Sequence, residues 1–289
     1  MVARTKTPYY RRATRSTAGN ILVFLVMALV AIAMALPLVL IVCNAFKPLD
    51  ELLVFPPRLF PRNWTTSNFS DLISVLGSSW VPISRYAANT VLLTVVGTAG
   101  HVLVASMAAY PLAKNRFPGR NWLFSLVVMA LMFSSRVTAT PNYMIISGLG
   151  LVNTYWAVIL PVLSSSLGLY LMKQFMEQIP DALLEAARIE GASEYTILWR
   201  IVMPNVKPAW LTLIILMFQQ LWNMDVSFYI RSEELKPLNH ALNTLSQGGI
   251  ARSGVSSAVG LVMIAVPIAL FVFNQSRMIE TMTNSGMKD

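Results

Sequence analysis

Asp181, Glu185 and Glu190 fall within one short stretch, DALLEAARIE, of a chain that is otherwise poor in charge, with Arg188 the single base among them. Carboxylates so placed can cap a helix, meet a basic surface, hold a metal, or serve as acid and base. The last two uses need converging partners, and the sequence supplies none. His101 and His240 stand alone, and there is no H-E-x-x-H pair, no nucleophile triad and no G-x-x-x-x-G-K-[ST] phosphate loop. The two histidines read as structural residues, and the acids are left with helix chemistry and contact.

A pair of helices must position them. Pro180 followed by Asp181 reads as a helix start, because a carboxylate there can accept from first-turn N–H groups and complements the helix dipole. Residues 182–190 are strong helix formers, with Leu183, Ala186, Ala187 and Glu190 at three- and four-residue spacing forming a small-residue face. Gly191 permits a change of direction that a Cβ would resist, and Ser193 can cap a second helix running through Ile197, Leu198 and Ile201 to Pro204. One reading is an interfacial hairpin lying on lipid headgroups. Against it, the first helix carries more acid than base, and an anionic leaflet favours the opposite sign; a protein partner fits better.

Around this polar insert the chain is mostly oil. Of its 289 residues 55% are hydrophobic and 12% charged, whereas soluble domains carry about 25% charge. Mean hydropathy is +0.59. The formal charge of +9 is scattered between apolar runs and forms no patch with interleaved aromatics, so it speaks for membrane topology and not for nucleic acid. The lone cysteine, Cys43, can form no intrachain disulfide.

Six apolar runs are expected to span the membrane: 21–43, 89–110, 122–146, 155–172, 208–230 and 255–273. The first follows a basic arm but is too long for a signal peptide and has no cleavage site behind it. With the N-terminus inside, 14 Lys and Arg fall on the cytosolic side and seven outside, with Arg136 within a span. The expected organisation is therefore all-α: a cytosolic basic arm over 1–20, a six-span region over 21–277 with an outer loop at 44–88 and a cytosolic loop at 173–207, and a cytosolic tail at 278–289. The outer loop holds the proline-broken FPPRLFPRNW and a short amphipathic segment.

Ionisable groups inside spans are costly and face a partner or a wet cavity. Arg136 and Asp225 lie at similar depth, so they either pair or border one water-filled cavity, unless one of them sits at the interface. In the fifth span Gln219, Asn223 and Ser227 recur every four residues, an expected polar stripe with Trp222 nearby and Asp225 on another face. Such a stripe suits a sugar path, by hydrogen bonding and aromatic stacking, or else interhelical contact. The third span is polar past Phe133, through Ser134, Ser135, Thr138, Asn142 and Tyr143, and Pro141 is expected to break it there, lining a cavity or packing between subunits.

The spacing EAA, three residues, Gly191, nine residues, Ile201, one residue, Met203, Pro204 resembles the EAA-x3-G-x9-I-x-L-P signature of the membrane subunits of bacterial ABC importers. Six of its seven named positions match, with Met203 for leucine. NAFKPLDELLVFPPRLFP, AAYPLAKNRFPGR, GLGLVNTYWAVILP, LWNMD and SGMKD are similar to the carbohydrate-uptake, maltose-permease-type group.

The resemblance implies the type I importer permease fold in a bacterial inner membrane. It implies that Asp181, Glu185, Ala186, Ala187, Glu190, Gly191, Ala192, Ile201 and Pro204 form coupling helices docked in an ATPase subunit. It also implies a homologous second permease, an ATPase dimer that binds ATP and Mg, an external solute-binding protein, and a carbohydrate as cargo. This chain would be no enzyme and would hold no cofactor. A secondary transporter driven by an ion gradient is the rival; it predicts inverted repeats and paired midplane acids, which the sequence lacks.

Overall fold

The computed structural model of the chain describes residues 17–77, 81–246, 249 and 252–285; the side chains of 17, 18, 76, 135, 136, 246, 270 and 273–285 fall outside that description, as do residues 1–16 of the expected basic arm and 286–289 of the expected tail. All regular structure among the described residues is helical. The helices are α1 (Thr17–Ala45), α2 (Leu49–Leu52), α3 (Ser67–Gly77), α4 (Ile83–Lys114), α5 (Arg120–Leu131), α6 (Ser135–Gly148), α7 (Trp156–Leu163) and α8 (Ser166–Glu177). Then come α9 (Asp181–Ile189), α10 (Glu194–Thr196), a π-helical run Ile197–Val202, α11 (Met203–Asn205), α12 (Lys207–Trp222), a 3-10 turn Glu233–Leu235, α13 (Leu238–Ser246) and α14 (Ser253–Ser285).

α1 shows most plainly what solvent this chain expects. Its apolar window has a mean hydropathy of 3.0, and none of that window is buried within the protein. Twenty-seven residues at about 1.5 Å each exceed the hydrocarbon thickness of a bilayer, about 30 Å. Phe24 and Met34 are 71% and 73% exposed; such a rod is stable only when lipid or another apolar surface covers it.

The segment after α1 is pinned back on itself by polar side chains. Asn68 donates to the carbonyls of Ala45 and Lys47, at 2.9 and 2.7 Å. The Glu51 carboxylate accepts from the amides of Arg62 and Asn63. Buried Lys47 donates to Asn44 Oδ1 and to the Arg58 carbonyl, so its charge is solvated by the chain itself.

α4 is the central post, against which α7, α8, α12 and α13 pack. Its buried face carries Tyr86, Asn89, Leu93, Gly97, His101, Ala105, Ala109 and Tyr110 at helical spacing. Close approach depends on small residues: a Cβ on Gly168 of α8 would fall 2.0 Å from His101 Nε2. One apolar core runs from Leu93 and Leu221 through Met172, Met176, Leu213 and Met217 into Leu184, Ile197, Leu198 and Val202, so the α9–α11 region belongs to the same packed body as the bundle. A second core, with Leu72, Tyr86, Leu242, Ala258 and Val259, closes the opposite end of α4.

Several span boundaries differ from expectation. Among the described residues three helices are long and apolar enough to cross a membrane, Gly19–Ala45, Ile83–Lys114 and Trp156–Glu177, or four if the bent pair Glu194–Asn205 and Lys207–Trp222 is one span. The expected third span divides before Ser135 and not at Pro141, which sits inside α6. A new helix starts where the Ser134 carbonyl accepts from the amides of Val137 and Thr138, whereas Pro141 gives up only one N–H donor. The expected fifth span ends at Trp222, eight residues before Ile230, because the chain turns there to form the polar end of the bundle.

Candidate functional site

The acidic stretch folds as a helical hairpin. Pro180 caps α9 without a side-chain bond, and the Asp181 carboxylate accepts instead from Lys114 Nζ at 2.7 Å. The expected role of Asp181 as acceptor for its own helix is thereby replaced by a tertiary contact. That ammonium holds the Asp181 carboxyl below the usual carboxylate range.

The inner face of α9 is Leu184 and Ala187, at 1% and 7% exposure. It rests in the core with Ile197, Leu198 and Val202. The expected face of Leu183, Ala186, Ala187 and Glu190 is therefore split: only Ala187 is buried, while Leu183, Glu185, Ala186 and Glu190 are exposed. Ile189, at 87%, and Tyr195, at 62%, extend that exposed surface.

The elbow has the chemistry its glycine suggests. Gly191 sits at φ +83°, with open space where a Cβ would go. Its N–H bonds the Arg188 carbonyl, and the Ala192 N–H bonds the Ala187 carbonyl, each at 3.0 Å. This is the paired Schellman closure of a helix C-terminus, which needs the left-handed conformation at that residue. Ser193 then accepts from the Thr196 N–H and starts the second arm as expected. That arm continues as the helix Glu194–Asn205, which meets α12 at 81°. Its middle is π-helical. Ala192 and Ile201 are half-buried, and Pro204 is exposed.

Across the elbow Glu194 closes the hairpin, accepting from Arg188 Nε at 2.7 Å and from Tyr110 Oη at 2.5 Å. Those two donors hold the Glu194 carboxyl below its ordinary range. Lys114, Tyr110 and Glu194 were missed from the sequence. The visible signal was the four-residue spacing of Tyr110 and Lys114, which puts both on one face of α4.

At the other end of α4 the chain leaving α12 forms a polar strap. Asn223 stands at the end of the helix and donates to the Gln219 carbonyl. Asp225 Oδ1 accepts from the Ser227 amide and hydroxyl, at 2.9 and 2.6 Å. The stripe Gln219, Asn223 and Ser227 is therefore not one helix face, since Ser227 lies five residues past the helix end. Trp222 is corrected too. It is buried, stacks on Phe218 at 5.7 Å and donates to the Met263 carbonyl; it packs α12 on α14 and presents no free ring.

Asp225 bonds Ser227, and its expected pairing or shared cavity with Arg136 lies outside the described residues. The Arg136 backbone lies in α6, and its side chain is outside the described residues. Asn142 and Tyr143 are half-buried on α6. Tyr143 accepts from Arg231 at 3.4 Å and meets Phe228 edge-on at 5.0 Å.

The strap continues through a chain of donors. Lys236 Nζ lies 3.1 Å from His240 Nε2, and His240 Nδ1 lies 2.9 Å from Ser227 Oγ. An ammonium can only donate, so Nε2 accepts and Nδ1 carries the proton toward Ser227, whose hydroxyl serves Asp225. Burial, then Lys236, pushes the His240 pKa down. Glu233 takes Lys236 at 2.7 Å and the Tyr86 hydroxyl at 2.9 Å. Asn89 bonds the carbonyls of Glu234 and Lys236 and accepts from Tyr155. Asn153 braces Arg231 and Ser232.

A bundle of apolar helices with a polar hairpin at one end and a hydrogen-bonded strap at the other is the framework of a membrane transport subunit. Residues 101–281 match the family described as "Binding-protein-dependent transport system inner membrane component", and the chain belongs to it. It is 32% identical over 266 residues to the arabinooligosaccharides transport system permease protein AraQ of Halalkalibacterium halodurans, covering 90% of this chain and 94% of that protein. It is 31% identical to protein LplC of Bacillus subtilis, over 81% of this chain and 80% of that one. In fold it resembles a chain from the crystal structure of a bacterial ABC transporter that imports the acidic polysaccharide alginate, with a TM-score of 0.78 at 22% identity over 93% of this chain and 99% of that chain.

Proposed function

We propose that this permease subunit passes a carbohydrate or oligosaccharide across a bacterial inner membrane. In this reading six spans place both termini in the cytosol, and the hairpin over 185–204 faces an ATPase dimer that binds ATP and Mg. A second, homologous permease completes the path, and an external solute-binding protein delivers cargo to the strap and to the segment 44–88. The single observation that carries the reading is the hairpin. Its inner face shares the core of the bundle, while Leu183, Ile189 and Tyr195 stand exposed beside Glu185 and Glu190. An apolar patch rimmed by acids on a rigid lever suits a protein partner better than an anionic leaflet.

Gln219, Asn223, Asp225 and Ser227 are exposed at the strap end. They offer amides, a carboxylate and a hydroxyl of the kind that hold sugar hydroxyls, with Tyr143 and Phe228 as aromatic surface. The relatedness to a permease for arabinooligosaccharides supports the cargo class.

Purification with co-expressed neighbouring genes, followed by reconstitution, tests this. A co-purifying ATPase whose hydrolysis rises with solute is the expected result. Gradient-driven uptake by this chain alone would instead establish a secondary transporter.

A further inference from the structure

We propose that α4 is the transmission rod of this subunit, and that Tyr110 and Lys114 are the positioning residues that bolt the hairpin to it. The inference rests on the hairpin's role in coupling proposed above and adds which helix takes up its movement, and through which atoms.

Lys114 is the last residue of α4, and its side chain is 5% exposed. Its three ammonium protons face three acceptors: Asp181 Oδ1 at 2.7 Å, the Ile179 carbonyl at 2.5 Å and the Glu177 carbonyl at 3.3 Å. Asp181 is the first residue of α9, and Glu177 is the last of α8. One buried charge therefore joins three helices at the point where two of them meet, and it satisfies carbonyls that a helix end leaves free.

One turn earlier, Tyr110 is 4% exposed and gives its hydroxyl to Glu194, the first residue of the second arm. Glu194 in turn holds Arg188 of the first arm. Both arms are thus tied at their starts to one face of α4, at points about 6 Å apart along its axis. A single tie would fix position and leave rotation free; two ties fix orientation as well.

The covalent connections of the hairpin do not provide this. Only residues 178–180 separate α8 from α9, and at Val206 the second arm meets α12 at 81°. Each junction is a short stretch of backbone with rotatable φ and ψ. The shared apolar core holds the hairpin against the bundle but is non-directional, and the two ties fix its orientation on α4.

At its far end α4 grips the strap in the same manner. Tyr86 bonds Glu233, Asn89 bonds the carbonyls of Glu234 and Lys236, and Thr90 Oγ1 accepts the Leu238 amide at 2.8 Å. A helix of 32 residues, about 48 Å long, thus carries the hairpin at one end and the strap beside Ser227 and Asp225 at the other. Tilting the hairpin moves the strap.

The test uses the reconstituted complex with its ATPase, comparing the parent with Tyr110→Phe, Lys114→Met and the pair. These changes keep side-chain bulk and remove the polar contacts. Uptake per ATP hydrolysed is expected to fall about tenfold in the double variant, the size of one charge-assisted hydrogen bond lost from the coupled state. The solute concentration for half-maximal uptake should not move. A merely structural defect lowers the amount of complex and leaves that ratio unchanged. In parallel, amide exchange of residues 181–196 in the purified chain should quicken while that of α1 does not. An unchanged ratio in the double variant, or unchanged exchange across 181–196, overturns the proposal. Failure of the parent to recruit an ATPase would overturn the coupling role itself, and the exchange measurement would still decide whether the ties hold the hairpin.

Discussion

The hairpin and the strap are held by the same helix and built by opposite means. The hairpin's turn chemistry is local, since Gly191 turns it and Ser193 restarts it. The strap takes its bonds from Tyr86, Asn89 and Asn153, residues 78 to 147 positions away from their partners. The hairpin also sits in a deep apolar core, whereas the strap is mostly a network of exposed and half-buried polar groups. Packing should therefore dominate the first and hydrogen bonding with its protonation states the second.

The largest expected effect is on that packing. Leu184→Ala removes a side chain that is 1% exposed and should cost about 2–5 kcal/mol. Limited proteolysis in detergent should then cut the hairpin first and leave the strap intact. Simultaneous loss of both regions would mean that they are not separable units.

Next comes the elbow. A side chain at Gly191 meets no neighbour, and only the positive φ resists it. Gly191→Ala should therefore cost about 1–2 kcal/mol, and Gly191→Asn less, because asparagine tolerates that conformation. A thermal unfolding series in detergent orders the two. A bulky Gly191→Val should in addition uncouple ATP hydrolysis from uptake in the reconstituted complex.

Acid separates the two regions. His240 has its pKa lowered in the folded protein, so as pH falls below the ordinary histidine value of 6.5 the unfolded strap gains a proton that the folded one resists, and strap stability declines. Asp181 and Glu194 are lowered too, but from carboxylate values. Their contribution is complete at neutral pH and is lost only as pH falls below about 4. Amide exchange should thus quicken a few-fold in the strap near pH 6 while the hairpin stays protected. His240→Gln should abolish the strap's response in that window.

The smallest effect belongs to Arg188→Gln. Its pair with Glu194 is 39% and 52% exposed, and such pairs contribute about 0–1 kcal/mol, less in salt. A loss that persists in 1 M salt would show that Arg188 acts through the Tyr110–Glu194 contact and not by its charge.

Legibility followed the range of the causes. Chain solvent, helical class, the glycine elbow and the Ser193 cap could all be read from composition and from spacing within a few residues. The end of α12 at Trp222 could not, because Gln219, Asn223 and Ser227 keep helical spacing in the sequence, and the chain leaves the helix only through local Asp–Ser bonding and the contacts of the strap. Trp222 looked like a sugar platform because an aromatic beside amides does so in any sequence; its burial against Phe218 and Met263 depends on α14.

What the sequence determined by itself was the oil, the signature over 185–204 and the left-handed turn, since hydrophobicity and backbone sterics act on each residue wherever it ends up. The tertiary structure alone decided that the exposed carboxylates of Asp181 and Glu194 meet Lys114 and Tyr110 of α4 and that Asn89 and Tyr86 reach across to the strap. Those partnerships exist only once apolar packing has brought helices far apart in the chain within about 3 Å of one another, and no local pattern encodes that approach.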